Sequence, residues 1–461
     1  MQRNHAFSIV MWVLFLSITV VSAARAEGIL AVQVGEHDIY LSHNYEDRRG
    51  EVKSNTTLAK KVIKVPDDFA TIQAAINNAN NGDVIQVRPK IYFENVVVNK
   101  TISLIGDDHD TTIIEGTGTV ILVTADNVII SDFTVRNGAI GVRLDSSWNT
   151  TVNDNNINNN EDGIHLFSSQ NCLISKNNAS NNDHRGIFLN NSLNCTVTRN
   201  IVNHNGWYGI NLNSSRNCIV DGNNAENNYW DGIGLYSSEN CAIHGNNLKN
   251  TTWYGIWLDS SNNTIIYHNN FLHNYFQVSS VASSNKWDDD WEGNYWSDYA
   301  GQDPTEDGIG DTPYTIDENN TDNYPLMGQF SSFDIMGLEK TYYITTVSNC
   351  TISNFNLASG QISFYVTGLN ETIGFCRISI PTALLNSSYN VTVNEGKPLT
   401  FKELPFSNDT LSYLYFTYPS TAHWIFIVPE FPSLFWLIIL VNSLALIIWR
   451  LRIQKSSVNQ I

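Results

Sequence analysis

The chain has 461 residues and a formal net charge of −19, with 42% hydrophobic but only 15% charged residues. This acidic balance argues against nucleic acid as a partner, because phosphate binding needs concentrated Lys and Arg. The apolar content suffices for a sizeable core, and a remainder rich in Asn, Ser and Thr suits an exported protein.

Arg3 and His5 precede an apolar run over residues 6–21 and the small-residue end Ala24-Arg25-Ala26, the pattern of a secretory signal covering residues 1–26. Residues 27–61 lack sustained periodicity and are expected to form a flexible stem. A strand is expected over 62–65 and another over 84–87. Between them, apolar residues at helical spacing around Phe69, Ile72, Ala75 and Ile76 predict a short amphipathic helix that covers the open end of a solenoid. Less regular apolar steps follow to residue 130.

Between residues 141 and 274 the frame G-[IV]-x-L-x-x-S-x-N-x-x-[IV]-x-x-N restarts at Gly141, Gly163, Gly186, Gly209, Gly232 and Gly255, at spacings of 22 and then four times 23. Such a period marks a solenoid. Inside each unit apolar residues alternate with polar ones, as Ile164 and Leu166 do around His165, which is strand periodicity. A third apolar step recurs at Ile157, Ala179, Val202, Ala225, Leu248 and Phe271. Three strands per turn without helical periodicity predict an all-β fold, a parallel β-helix over 62–330.

Ser holds the seventh position of every unit (Ser147 to Ser261), and Asn the ninth (Asn149 to Asn263) and the fifteenth (Asn155 to Asn269). Asn tolerates the left-handed backbone of tight turns and can hydrogen-bond to its copy in the next turn. These rows are therefore read as architecture. Cys172, Cys195, Cys218 and Cys241 share the tenth position, and in-register side chains run parallel, which disfavours disulfides between them. Buried free thiols are expected. A soft-metal site is the sharper alternative.

Residues 275–330 are expected to close the helix. Within them, Asp303, Thr305 and Asp307, the carbonyl of Ile309, and Asp311 imitate a calcium loop with Gly308 at its sixth position. The twelfth position is Tyr314 instead of Glu. Asp288, Asp289 and Asp290 could supply the missing ligands, and the competing reading is an Asx-rich turn without metal. Over 331–428 strand-like segments recur every ten to fifteen residues, as in a small β-sandwich, where Cys350 and Cys376 could pair in an oxidising exterior. An apolar run over 433–449 followed by Arg450, Arg452 and Lys455 fits a membrane span with its tail inside. Triplets at Asn55, Asn149, Asn213, Asn250, Asn386 and Asn408 allow surface glycosylation.

Two resemblances add to these readings. The run from Val65-Pro66-Asp67-Asp68-Phe69 to Ile76, the later Tyr92-Phe93-Glu94-Asn95, and the G-I-x-L repeats resemble the NosD-type right-handed parallel β-helix family. Residues 287–299 (WDDDWEGNYWSDY) and 307–314 (DGIGDTPY) resemble the closing segment of its archaeal members. The resemblance implies the coil, which also hosts polysaccharide lyases, hydrolases, epimerases and copper-site assembly factors. Pro429-Glu430-Phe431-Pro432 before the apolar run resembles the archaeal PEF-type C-terminal sorting signal. It implies attachment of residues 429–461 to the envelope by a sorting enzyme, with a plain membrane anchor as the alternative.

Chemistry is expected on the outward positions of one strand row and just before each glycine. Trp207-Tyr208, Trp230-Asp231, Trp253-Tyr254 and Trp257 are expected to make an aromatic strip that stacks on sugar faces. The competing reading is that these rings pack on one another to shield the turn. Asp162, Asp183, His184, Arg185 and Asp231 carry the acid-base potential of this face. Paired carboxylates would suit hydrolysis, and His184 or Arg185 would suit elimination from uronates. The preferred expectation is a cell-surface carbohydrate-binding protein, with a polysaccharide lyase, epimerase or hydrolase and a NosD-like copper-enzyme assembly factor as alternatives. Four Met, no C-x-x-C and histidines scattered over repeat positions give copper little support from residues.

Overall fold

The computed structural model describes residues 61–429 except 338–339, 370–371, 386–387 and 395. The expected signal peptide, the stem up to residue 60 and all residues after Pro429 lie outside the described residues. Among those described, no helix is long and apolar enough to cross a membrane.

Parallel strands stack into three faces. A ten-stranded sheet runs from Val62–Val65 to Ile265–Tyr267, and a nine-stranded sheet from Val96–Val98 to Phe276–Val281. The third face is two four-stranded sheets, joined through isolated bridges at Asn178 and Ile201. Successive turns pair in register at the repeat spacing, as in Ile164 with Ile187 and Ile187 with Ile210. The all-β coil expected from the sequence is therefore present, with the core filled by the alternating Ile, Leu and Val of each unit.

The two predicted Asn rows do different work. The ninth-position residues Asn149, Asn171, Asn194, Asn217, Asn240 and Asn263 all have φ between 52° and 58°, the left-handed region that Asn tolerates. The fifteenth-position residues are buried. Asn200, for example, donates from Nδ2 to Ile174 O at 2.9 Å and to Asn223 Oδ1 at 3.0 Å, and its N–H donates to the same oxygen at 2.9 Å. A further buried row, Asn160, Asn182, Asn205 and Asn228, continues through Thr251 to Asn274 at the next corner. Sequence reasoning passed over it, although its period is the same.

Both ends are covered. Helix Ile72–Asn78 turns Ile72, Ala75 and Ile76 inward, and Thr71 Oγ1 caps it by accepting from Ala74 N at 3.1 Å. The Glu94 carboxylate accepts from Ile72 N and Gln73 N, both at 3.0 Å, which gives the Tyr92-to-Asn95 motif its purpose. At the other end Phe271, Trp296 and Tyr314 stack at 4.1 and 4.2 Å. Asp322 Oδ2 accepts from Trp296 Nε1 and Asn294 N, both at 2.8 Å.

The sandwich consists of two five-stranded antiparallel sheets around Ile344, Phe364, Ile378, Phe416 and Ile427. Its first strand, Gln329–Met336, starts two residues before the expected boundary, because Phe330 already pairs with Val347. Cys350 and Cys376 are both free and buried, as are the four ladder thiols, so the disulfide allowed by the sequence is not formed. Neighbouring thiols and burial push Cys172 and Cys218 up, keeping them protonated. None of the six is expected to label with a maleimide in the native state, and all six after denaturation. Native labelling of a ladder cysteine would contradict a sealed core.

Candidate functional site

The outward face of the nine-stranded sheet carries the candidate residues. Its register aligns Arg143, His165, Phe188, Asn211, Gly234 and Trp257 in one row, and Asp145, Phe167, Asn190, Asn213, Tyr236 and Asp259 in a second. Gly234 is needed here. A Cβ at this position would stand 2.8 Å from the Tyr208 ring, which lies across the gap the glycine leaves.

At the corner before each strand, Trp207 N, Trp230 N and Trp253 N donate to the carbonyls of His184, Trp207 and Trp230. The ring of His184 stacks on Trp207 at 4.0 Å, and Trp207 on Trp230 at 5.1 Å with planes 9° apart. Trp207 thus has a ring against each face and presents mainly its edge. The stack stops at Trp230. Trp253 pairs instead with Tyr254 at 6.4 Å, and Tyr254 stacks on Phe276 at 5.4 Å. The continuous strip expected from the sequence is two stacks with a break between Trp230 and Trp253, which are 37% and 47% exposed.

Tyr208 is buried beneath this break, edge-on to Trp230 at 5.5 Å, and its hydroxyl hydrogen-bonds to that of Tyr236 at 2.8 Å. Tyr208 is therefore not part of an exposed strip. Half-buried Trp257 packs edge-on against Tyr236 at 4.4 Å. Sequence reasoning missed Tyr236, whose only signal was its outward position two residues before Ser238.

The acid-base candidates are not a facing pair. Asp162 meets Arg185 Nη1 at 3.3 Å, and burial raises its carboxyl above the ordinary range despite Arg185 and His184. Asp183 is exposed on a turn. Asp231 is 3% exposed, accepts from Tyr254 N at 3.0 Å, and is pushed by burial up to about 7. A raised carboxyl pKa stabilises the fold fully below the unfolded value of about 3.9, and that contribution is lost as pH rises through about 7. Asp231→Asn is expected to flatten the fall in melting temperature between about pH 4 and pH 7. An unchanged pH dependence would contradict the burial of a titrating carboxyl here.

In the loop read as calcium-like, Asp303 Oδ1 accepts from Thr305 Oγ1 and Asp307 N, and Oδ2 from Gly308 N at 2.8 Å. Asp307 Oδ1 accepts from Ile309 N at 3.0 Å, and Asp311 N donates to Gln302 O at 2.9 Å. Asp288 is engaged with Asn323. Calcium would compete with these N–H groups for the same oxygens. The carbonyls of Thr305 and Asp307 face the sandwich, accepting from Lys402 Nζ at 2.6 Å and Arg377 Nη1 at 3.3 Å.

A family model described as periplasmic copper-binding protein (NosD) matches residues 69–301, just over half of the chain. The chain belongs to the NosD family. Fifty residues are 48% identical to the probable ABC transporter binding protein NosD of Pseudomonas aeruginosa and to that of Stutzerimonas stutzeri. Each match spans 11% of this chain and 12% of the relative's length. Similar solved structures include the Azotobacter vinelandii mannuronan C-5 epimerase AlgE6 A-module, at TM-score 0.44 and 18% identity over 49% of this chain and 70% of that one. The Dettilon tailspike protein matches at TM-score 0.41 and 13% identity over 80% and 94%. An alginate lyase from Paenibacillus sp. matches at TM-score 0.34 and 14% identity over 51% and 98%.

The NosD family description names copper, and the described residues do not fit a resident copper ion. The four ladder thiols are at most 2% exposed, and each lies against backbone carbonyls, as Cys172 Sγ does with Ser147 O at 3.4 Å. His244 is engaged with Asp221 and His268 with Glu292, both at 2.9 Å. Among the described residues no group of three or more His, Cys, Asp or Glu is placed to hold a metal.

Proposed function

We propose that this NosD-family protein works outside the cell, attached to the envelope through residues 429–461, and binds carbohydrate along the nine-stranded face. The observation that carries this reading is the break in the aromatic stack. It leaves Trp230 and Trp253 as exposed rings beside Asp231, Tyr236 and Trp257. Aromatic faces take the C–H faces of sugar rings, and the half-buried phenol of Tyr236 takes a hydroxyl, whereas Asp231, 3% exposed, is not among these contacts. A polymer lying along the coil axis would cross one turn about every 4.8 Å, meeting a new set of outward side chains each time. Glycan-array binding of the exported chain tests the reading. Retention by one glycan class that Trp253→Ala weakens supports it, and no retention on any glycan overturns it.

Turnover at the same face is a second reading, as a polysaccharide lyase, epimerase or hydrolase. It is favoured by Asp231, a carboxyl held near 7, close to the hydrogen-bonded phenols of Tyr208 and Tyr236. Release of unsaturated or shortened products, or inversion of a sugar stereocentre in the intact polymer, that is lost in Asp231→Asn would establish it. Binding without product would leave the protein a carbohydrate-binding module.

A further inference from the structure

One cation on this face is held unlike the other arginines. The guanidinium of Arg185 lies 4.3 Å from the ring centroid of Phe188 and 4.9 Å from that of Trp207, so two rings fix its position. Its carboxylate partner, Asp162, reaches it only through Nη1, at 3.3 and 3.4 Å. Charge-assisted contacts of this kind usually run at about 2.7–2.9 Å. Arg199, Arg377 and Arg143 meet their carboxylates at 2.6, 2.7 and 3.0 Å. The one longer arginine–carboxylate contact among the described residues, Arg216 to Glu239 at 3.6 Å, lies out in solvent.

The surroundings of Arg185 are also short of partners. Its Nε has none, and neither ring nitrogen of His165 has one, although His165 is only 9% exposed. His165 sits in the row beside Arg143 and stacks on Phe188 at 4.6 Å. Burial, and then the charges of Arg143 and Arg185, push its imidazole down to about 4, so it adds no positive charge. Burial raises the Asp162 carboxyl above its ordinary range, against the pull of Arg185 and His184. A guanidinium has five N–H donors in a planar fork. Here Nε is sealed from solvent and Nη1 is spent on Asp162, which leaves the Nη2 donors for a ligand, on a side chain that keeps 22% of its surface open.

We propose that Arg185 is a carboxylate-recognising subsite of this face, and that the carbohydrate it takes is acidic, a polymer carrying uronic acid residues. The inference rests on the carbohydrate reading above and deepens it. Arg185 stands two turns from Trp230 along the coil, about 10 Å at the spacing of parallel strands. One oligosaccharide lying along the axis reaches both. With a net charge of −19 the chain offers a polyanion no long-range attraction, so selectivity for the acid has to come from this contact.

The test is calorimetric titration of the full chain with an oligogalacturonate and with the same oligomer after its carboxyl groups are reduced to alcohols. The wild type is expected to bind the acidic oligomer roughly tenfold or more tightly than the reduced one, the range of a hydrogen bond to a charged group. The double variant Arg185→Gln, Asp162→Asn, which leaves no lone buried charge, is expected to bind both oligomers equally while Trp230 still supports each. Equal wild-type affinity for the two oligomers would overturn the acidic subsite and leave the carbohydrate reading standing. Binding of neither would overturn the acidic subsite as well, while the carbohydrate reading falls only if the glycan array also shows no retention. The wild-type comparison needs no variant, so a misfolded variant leaves the outcome decisive.

Discussion

Asn223→Ala is expected to destabilise the coil by about 3–5 kcal/mol, measured by urea denaturation. Asn223 is fully buried. Its Nδ2 donates to Val197 O, Asp221 O and Asn246 Oδ1, and its Oδ1 accepts from Asn200 N and Asn200 Nδ2, all at 2.9–3.1 Å. Alanine leaves the Asn200 N–H and the Val197 carbonyl buried without these partners, and each orphan costs roughly 1–3 kcal/mol. In a solenoid the damage stays with neighbouring turns, so amide exchange should rise first around residues 197–223. Asn217 provides the contrast. It is exposed at φ 53°, and Asn217→Gly should change stability by less than about 1 kcal/mol, since glycine adopts that backbone freely. Equal losses from the two substitutions would mean that the Asn rows are not the two devices described.

The second large effect is at the junction of coil and sandwich. Glu292 Oε2 stands 2.7 Å from Arg377 Nη2 and 2.9 Å from His268 Nε2, and His268 stacks on Phe330 at 4.0 Å. Arg377 comes from sandwich strand Ile373–Pro381 and is 3% exposed. Burial alone would raise the Glu292 carboxyl, but Arg377 and His268 hold it down at about 2. Arg377→Met is expected to cost about 3–5 kcal/mol, because it strands a buried carboxylate, and Arg377→Met with Glu292→Leu should recover much of the loss. A depressed pKa contributes stability above the unfolded value of about 4.3, and that contribution is lost as pH falls through about 2. Acid titration should therefore weaken the wild type by about 3 kcal/mol more than Glu292→Gln over that window. The sandwich is thus fastened to the coil by the buried Glu292–Arg377 ion pair, with His268 hydrogen-bonded to the same carboxylate, together with Arg199–Asp334 at 2.6 Å.

The coil was legible because its period survives in every unit, and the hydrogen bonds of Ser and Asn rows demand the same residue at the same place. The row from Asn160 to Asn274 carried the same signal and was passed over, since Thr251 interrupts it. In the sandwich, segments such as Tyr389–Val393 carry the alternation that the sequence displays. Strand Thr351–Ala358 is less legible, because Asn354 and Asn356 break the alternation at a register shift. The candidate site was legible as a row and not as a geometry. A repeat places Trp207, Trp230 and Trp253 in line, but it cannot show that the first two stack face to face while the third turns to Tyr254. Nor does it show that Gly234 lets Tyr208 lie across the face, a contact between turns that depends on a missing Cβ.

Carbohydrate binding on this face depends most on which tryptophan faces are free. Trp207 has rings against both faces, whereas Trp230 ends the stack. The most direct test is the affinity of Trp230→Ala and Trp207→Ala for the glycan that the wild type retains, each compared with the wild type. Trp230→Ala should weaken binding by about tenfold or more, the scale of one lost aromatic platform, and Trp207→Ala by no more than a few-fold. Equal binding by all three proteins, or a larger loss from Trp207→Ala, would contradict it.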